Sequence, residues 1–142
     1  MPTDDAEQML FSQSFSWGYD LVNPPLYTWL IILVQELVGV HFVSIAIVKF
    51  SLYGLIFYFF YKVASWIITD NLLSGLATLS ILWLYYVGWD AALSYSHSVL
   101  AACLIMASLF SLRRLADRGD IQSYIFIGIV FGLGSISKYT FG

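Results

Sequence analysis

The sequence predicts an all-α protein, a multi-pass bundle of transmembrane helices with about four spans and two amphipathic interfacial helices. Three observations predict this fold class. Of the 142 residues, 60% are hydrophobic and only 11% are charged, whereas a soluble domain carries about 25% charged residues. Four apolar segments approach the length of a membrane span, and aromatic residues lie near their ends. With so few charges the chain cannot cover a water-facing surface, so lipid is expected to be its main solvent.

The predicted spans are four apolar stretches, which run approximately over residues 42–61, 72–89, 92–112 and 121–137. Each is close to the roughly 20 residues that cross a hydrocarbon core of about 30 Å. Gly128 and Gly132 in the last stretch match the GxxxG pattern, which we interpret as a place of close helix packing.

An acidic segment begins the chain. A first amphipathic helix is predicted over 3–17, where Asp4 followed three residues later by Glu7 matches a capping box. Asp4 and Asp5 point about 100° apart on a helix, so one could act as a base while the other orients it or binds a cation. The alternative is structural: Asp4 caps the helix, and Asp5 lies in the first turn, where an acid is favourable.

A second, shorter helix is predicted over 25–38, begun by Pro25 and closed by Gly39. At about 21 Å it is too short to span the hydrocarbon core, so we interpret it as interfacial or partly re-entrant. The chain is therefore predicted to divide into an external loop region with two amphipathic helices, residues 1–41, and a partial transmembrane domain, residues 42–142.

Basic residues in the connections predict the orientation of the bundle. Lys62 follows the first span, and Arg113, Arg114 and Arg118 follow the third. These residues fall on one side if the spans alternate, and the positive-inside rule makes that side cytoplasmic. The acidic segment then lies on the non-cytoplasmic face of the cytoplasmic (inner) membrane. Because delivery to that face needs an earlier span, we expect the chain to be part of a longer protein.

Three further polar residues lie in or beside the apolar stretches. Lys49 stands where a charge costs about 2.5–3.5 kcal/mol on insertion scales. It is either a contact for an anionic group, such as a lipid-linked phosphate, or a structural partner of Glu36 or Asp90. His97 is predicted to lie in a polar pocket near the interface, bound to a neighbouring helix. Lys138 either anchors the end of the fourth span or belongs to the same outer site.

Several function classes are not expected. Net charge is −3 and there is no basic patch, so nucleic acid is not a predicted partner. Cys103 is the single cysteine, cannot form an internal disulfide, and is interpreted as a small hydrophobe. The two histidines and Cys103 are too far apart in sequence for a zinc site. No cofactor is predicted, and a requirement for a divalent cation is left open.

Four segments in order resemble bacterial glycosyltransferase family 39, the RgtA/B/C/D-like enzymes and their relatives, the dolichyl-phosphate-mannose-protein mannosyltransferases. The segment DDAEQMLFSQSFSWGYD is similar to the first external loop of that family. The segments PPLYTW, SHSVLAA and LGSISKYTF are similar to its PPLYxW helix and to its THTVL and LGLLSKYNF segments. The match covers nearly the whole chain.

The resemblance implies a GT-C fold and a glycosyltransferase of the cell envelope. Such enzymes move a sugar from a polyprenyl-phosphate-linked donor to a hydroxyl of a lipid, glycan or protein outside the cytoplasmic membrane. The first acid of the family's pair is the base, which maps to Asp4, with Asp5 as the second catalytic acid. Lys49 and Lys138 are then candidate partners of the donor phosphate.

Glu7, Tyr27 and His97 are further substrate-binding candidates, because they stand in the motifs that carry the resemblance. Three places depart from the family pattern: Asp5 replaces the usual glutamate, and Asn23 replaces a lysine found before the two prolines. The third is the segment LSY before His97, where relatives often carry charged residues. This chain alone is expected to be inactive. The alternative is a non-enzymatic membrane protein, either a transporter piece or an assembly subunit, or an inactive remnant.

Overall fold

The computed structural model describes residues 3–19, 24–90 and 96–138, with only the backbone of Thr3, Asp4, Tyr86, Asp90 and Ser96. The helices are α1 Thr3–Phe11, α2 Leu26–Val38, α3 Phe42–Ile67, α4 Asn71–Ser80, α5 Ser96–Arg118 and α6 Ile121–Ser135. A 3-10 turn, Ile81–Trp83, and a π-helical turn, Tyr86–Asp90, follow α4. No β-strand occurs within these ranges, so the predicted all-α fold class is confirmed.

Two of the helices are long and apolar enough to cross a membrane. α3 has 26 residues, and the qualifying stretch of α5, His97–Arg118, has 22. At 1.5 Å per residue these stretches measure about 39 and about 33 Å. The other two predicted spans appear as shorter apolar helices, Asn71–Trp83 and Ile121–Ser135. Two of the four predicted spans therefore reach spanning length as helices.

The second predicted span is interrupted after α4. Leu84 leaves the helical conformation with a ψ of 114°. Gly88 then passes so close to Leu82 that a Cβ on Gly88 would lie 2.0 Å from the Leu82 carbonyl oxygen. The Tyr53 hydroxyl on α3 donates a hydrogen bond of 2.6 Å to the Val87 carbonyl. A glycine and a neighbouring tyrosine thus stabilise a break that hydropathy does not reveal.

α3 and α5 continue beyond their predicted ends. α5 includes Arg113, Arg114 and Arg118, which the sequence analysis assigned to a connection. Arginine is a good helix former, and Arg113 also pairs with Asp117 one turn on, with 3.1 Å between Nε and Oδ2. Gly119 ends the helix with a φ of 59°, a left-handed conformation that suits glycine.

α1 ends six residues before its predicted end at residue 17. The chain that follows folds into turns, in which the Tyr19 hydroxyl donates to the Ser14 carbonyl and accepts from the Ser16 amide. Serine favours such local bonding over helix. α1 also begins at Thr3, so Asp4 lies inside the first turn and is not the cap that the capping-box pattern predicted. The second helix, by contrast, runs as predicted, with Gly39 closing it.

The apolar core lies between α2, α3 and α5. Ile31, Ile45 and Val99 are almost fully buried there, together with Cys103. The outward faces carry many exposed large apolar side chains, such as Phe50 on α3. A surface of this kind is stable against lipid and unstable against water.

α6 packs against α5, but Gly128 and Gly132 do not form a close contact there. A Cβ at Gly128 or Gly132 would meet no atom within 4 Å. For the residues that the structure describes, the interpretation of GxxxG as a place of close packing is therefore wrong. α6 begins after Asp120, whose carboxylate caps the helix, and hydrogen bonds from the Ser123 hydroxyl and amide hold the pKa of Asp120 below its usual range.

Candidate active site

One face of α1 is polar and buried against the bundle. Asp5 and Gln8 stand three residues apart on one side of α1, and Ser12 follows on the same side just past the helix end, where its amide donates to the Gln8 carbonyl at 3.0 Å. All three side chains are buried. Burial of polar groups is stable only when each is hydrogen-bonded or paired, and each of these residues meets a partner on α2, α3 or α5.

Asp5 pairs with Lys49 of α3. The distance from Lys49 Nζ to Asp5 Oδ1 is 3.8 Å, and the two side chains are 5% and 8% exposed. The sequence analysis offered Glu36 or Asp90 as a structural partner of Lys49. Glu36 is instead exposed on α2, and the side chain of Asp90 lies outside the described residues. The ion pair joins the start of α1 to the first half of α3.

Gln8 connects α1 to two more helices. The Thr28 hydroxyl of α2 donates to Gln8 Oε1 at 2.8 Å, and Gln8 Nε2 lies 3.0 Å from Nε2 of His97 on α5. An amide nitrogen can only donate, so Nε2 of His97 is the acceptor of this bond. His97 therefore lies in a polar pocket bound to a neighbouring helix, as the sequence predicted.

Two further contacts join α2 to its neighbours, one to α5 and one to Ser12 after α1. Tyr27 is fully buried, and its ring lies 5.2 Å from the His97 ring, centroid to centroid. Gln35 Nε2 donates to Ser12 Oγ at 2.9 Å. Thr28 and Gln35 of α2 thus face Gln8 and Ser12 and are covered by protein, whereas Glu36 is exposed.

The turn region after α1 is fastened to α2 by aromatic rings. Trp29 stacks on Phe15 and meets Trp17 edge to face, with ring centroids 5.6 Å apart in each case. Trp29 Nε1 also donates to the Ser16 carbonyl at 2.9 Å. Phe15 and Trp17 remain exposed, as expected of aromatic residues at a membrane interface.

Lys138, after the end of α6, reaches the same end of α5. Its Nζ donates to Ser98 Oγ at 2.9 Å, next to His97. Ser98 also lines a cavity of about 330 Å³ between α3, α5 and the broken segment after α4. The rest of its lining is almost entirely apolar and includes Tyr53, Ile56, Leu84, Val99 and Met106. A cation therefore lies close to the polar edge of an apolar cavity.

Residues 22–142 match the model of the family described as dolichyl-phosphate-mannose-protein mannosyltransferase. The chain belongs to this family. It is 32% identical over 140 residues to the lipopolysaccharide core galacturonosyltransferase RgtA of Rhizobium johnstonii. It is 31% identical over 140 residues to RgtB of the same organism, which carries the same description. Both alignments cover 97% of this chain but 28% of the relative. No solved structure matches the chain.

Membership in this family of membrane glycosyltransferases confirms the resemblance carried by the acidic, PPLYTW, SHSVL and SKYTF segments. Of the predicted site residues, the structure gathers Asp5, Lys49, Tyr27 and His97 at the buried face of α1. Lys138 lies at the same end of α5, because its ammonium donates a hydrogen bond to Ser98. Glu7 is exposed on α1. Asp4 precedes Asp5 in the first turn, and its side chain lies outside the described residues.

Gln8, Thr28 and Ser98 were not predicted as site residues, although their hydrogen bonds join the polar residues of this site. The signal was the spacing of Asp5, Gln8 and Ser12 on one face of α1. The sequence does not show which face of α1 packs against the protein. Leu10 is 68% exposed, since a helix at a membrane surface can turn apolar side chains to lipid and polar ones to the protein.

The chemistry available at this place is acid–base and anion binding. Carboxylates of the family's acidic pair stand on α1, and two lysines lie within the same end of the bundle. Among the described residues, no three His, Cys, Asp or Glu side chains gather as a metal site. The described residues therefore offer a buried carboxylate, two ammonium groups and an imidazole at one end of the bundle.

Proposed function

We propose that this chain forms part of a membrane glycosyltransferase that moves a sugar from a polyprenyl-phosphate-linked donor to a hydroxyl of a lipid, glycan or protein. Family membership and the similarity to two galacturonosyltransferases support glycosyl transfer. The chain spans 28% of the length of those relatives, so the activity is assigned to the whole protein, and this chain alone is expected to be inactive.

The observation that carries the proposal is the docking of α1 by Asp5 and Gln8. The buried Asp5–Lys49 pair and the bonds from Gln8 to Thr28 and His97 fix α1 on the bundle. Asp4, the preceding residue, is turned about 100° from Asp5 around the helix axis. We therefore assign Asp5 to positioning, with Lys49 as its counter-ion, and Asp4 to catalysis.

In the proposed reaction the Asp4 carboxylate takes the proton of the acceptor hydroxyl. The hydroxyl oxygen then forms a bond to the anomeric carbon of the sugar, and the bond from that carbon to the phosphate oxygen breaks. Polyprenyl phosphate leaves with the bonding electron pair. A single base with direct displacement inverts the configuration of the anomeric carbon.

Donor binding is assigned to Lys138 and the cavity beside Ser98. An ammonium group suits a phosphate as a point charge, and an apolar cavity of about 330 Å³ suits the first isoprene units of a lipid carrier. Glu7 is exposed on α1 and is assigned to the acceptor side. Tyr27 is fully buried, so its contribution goes through the His97 ring that it contacts.

Orientation follows from the distribution of basic residues. Lys62, Arg113, Arg114 and Arg118 lie towards the C-terminal ends of α3 and α5, opposite the Asp5–Lys49 pair. The positive-inside rule then assigns the arginine end to the cytoplasm. Residues 1–41 form the external loop region and residues 42–142 part of the transmembrane domain, in the inner membrane. Charges that gather at the two ends favour a surface site over a transport path through the bilayer.

The test is sugar transfer by the complete protein carrying Asp4→Asn, measured with a labelled polyprenyl-phosphate sugar. We expect transfer to fall at least about 100-fold, the lower range for loss of a general base, with unchanged expression and membrane insertion. Glu36→Gln removes an exposed carboxylate from α2 and is the matched control, with activity expected to be unchanged. Wild-type turnover by the Asp4→Asn protein would overturn the assignment of Asp4.

A further inference from the structure

A second cavity, whose lining is charged, lies at the opposite end of α3 and α5. Its volume is about 280 Å³, and it lies between the last turns of the two helices. Its charged lining residues are Lys62, Arg114, Asp117 and Arg118, and its walls include the rings of Tyr58, Trp66 and Phe110. None of these residues belongs to the site around α1.

The charge in this cavity is unbalanced. Three cations and one carboxylate line it, which leaves two net positive charges. The carboxylate of Asp117 is already paired with Arg113, which lies outside the lining, at 3.1 Å. Asp120, outside the lining, lies near enough to Arg114 and Arg118 for their charges to help lower its pKa. With Arg113 and Asp120 counted, four cations face two carboxylates, so this end of the bundle keeps an excess of two positive charges among the described residues.

Arg114 gives the clearest sign that an acceptor belongs here. Its guanidinium lies 5.9 Å from the centre of the Phe126 ring, on the inner side of the helix. Its Nε is buried and meets no hydrogen-bond acceptor among the described residues. A buried donor without an acceptor is costly, and an anionic oxygen in the cavity would satisfy it.

The position selects the kind of anion. The cavity stands where the two helices of spanning length end, which is the level of the lipid headgroups. Tyr58 and Trp66 line it, and these residue types are enriched at that level. Basic pockets between transmembrane helices bind the headgroups of anionic lipids. The helix dipole alone favours basic residues in a last turn, but it requires neither a cavity nor a buried guanidinium nitrogen without an acceptor among the described residues.

We infer that this cavity binds the phosphodiester headgroup of an anionic phospholipid, with Arg114 and Arg118 as its main ligands and Lys62 as a further cation. The acyl chains lie along the apolar outer faces of α3 and α5. This lipid site does not depend on Asp4 or on the chemistry proposed for the other end of the bundle.

The test uses the complete protein in nanodiscs of phosphatidylcholine with a minor share of phosphatidylglycerol. Retained lipid is counted by native mass spectrometry. We expect the wild type to retain phosphatidylglycerol selectively, and Arg114→Gln or Arg118→Gln to lower its retention about fivefold each, the effect of one basic residue near a charged surface. Asp117→Asn removes the one carboxylate among the described lining residues and is expected to raise retention.

The outcomes separate the possibilities. Equal phosphatidylglycerol retention by the wild type and a folded Arg114→Gln protein overturns the inference. If Arg114→Gln does not fold, Asp117→Asn decides, because unchanged retention in that variant also overturns it. A parallel sample in pure phosphatidylcholine receives inorganic phosphate. Tight binding of phosphate there, without selection of phosphatidylglycerol, identifies a soluble anion and overturns the lipid assignment.

Discussion

The charge of Lys49 costs more free energy inside a bilayer than it would in water. Lys49 is the eighth residue of α3, and its side chain is 5% exposed, so burial makes its charge costly. The Asp5 carboxylate, supplied by a helix outside the spans, offsets that cost at 3.8 Å. A single ion pair therefore couples the position of α1 to the insertion of α3.

This coupling can be measured with a double-mutant cycle on Asp5→Asn and Lys49→Met. Each single change breaks the buried ion pair, and we expect each to lower the free energy of unfolding by about 3–5 kcal/mol. The double variant is expected to lose less than the sum of the two. Denaturation in lipid bicelles provides the measurement. The exposed Arg113–Asp117 pair is the matched control, with an expected coupling of about 0.3–0.5 kcal/mol.

Additive losses in the Asp5 and Lys49 variants would contradict this reading of the pair. The sequence could predict that Lys49 needs a partner or a ligand, because the cost of a charge in lipid is general. It could not predict which partner, since Asp5 stands 44 positions away and no local pattern links the two. The same holds for Gln8, whose amide bonds residues on two other helices.

At the scale of elements, helix positions were predictable and helix ends were not. Pro25 and Gly39 correctly bounded α2, because both act through the backbone of their own residue. The ends of α3 and α5 were predicted too early, because a fall in hydropathy does not end a helix of good helix formers. The break after α4 was missed because it depends on Gly88 and on the Tyr53 hydroxyl of another helix.

Gly88 supplies a test of that break. Gly88→Ala would bring a Cβ to 2.0 Å from the Leu82 carbonyl oxygen, so the segment has to shift and we expect a loss of about 1–3 kcal/mol. Gly54→Ala in α3 is the matched control, since a Cβ there meets nothing within 4 Å. Its helix propensity predicts a gain of up to about 1 kcal/mol. Thermal unfolding in detergent compares the two, and equal melting temperatures would contradict the assignment.

At the scale of the whole molecule, composition alone determined the fold class, and four short segments determined the family. The composition and the four segments extend over the whole chain, so an error in one helix boundary does not change the predicted fold class or family. The arrangement of the site depends on which faces of the helices meet, and a hydrophobic pattern does not distinguish a face turned to lipid from one turned to the core. For that reason the polar face of α1 was recognised only in the structure.

The proposed orientation predicts the location of each connection. In the complete protein, alkaline phosphatase fused after residue 40, between α2 and α3, is expected to be active because it reaches the outer side. Fusion after Gly119, between α5 and α6, is expected to be inactive, since the adjoining arginines hold that connection in the cytoplasm. Fluorescent-protein fusions, which report cytoplasmic location, provide the opposite readout. Reversed activities would invert the topology and move the acidic segment to the cytoplasm.

Cys103 gives this chain an internal reporter. It is the only cysteine of the 142 residues, it is 4% exposed, and it lies in the core that α5 shares with α3. A maleimide can reach its thiol only when the two helices separate. The rate of alkylation in an intact bilayer therefore measures how often the bundle opens, without denaturant and without an introduced label.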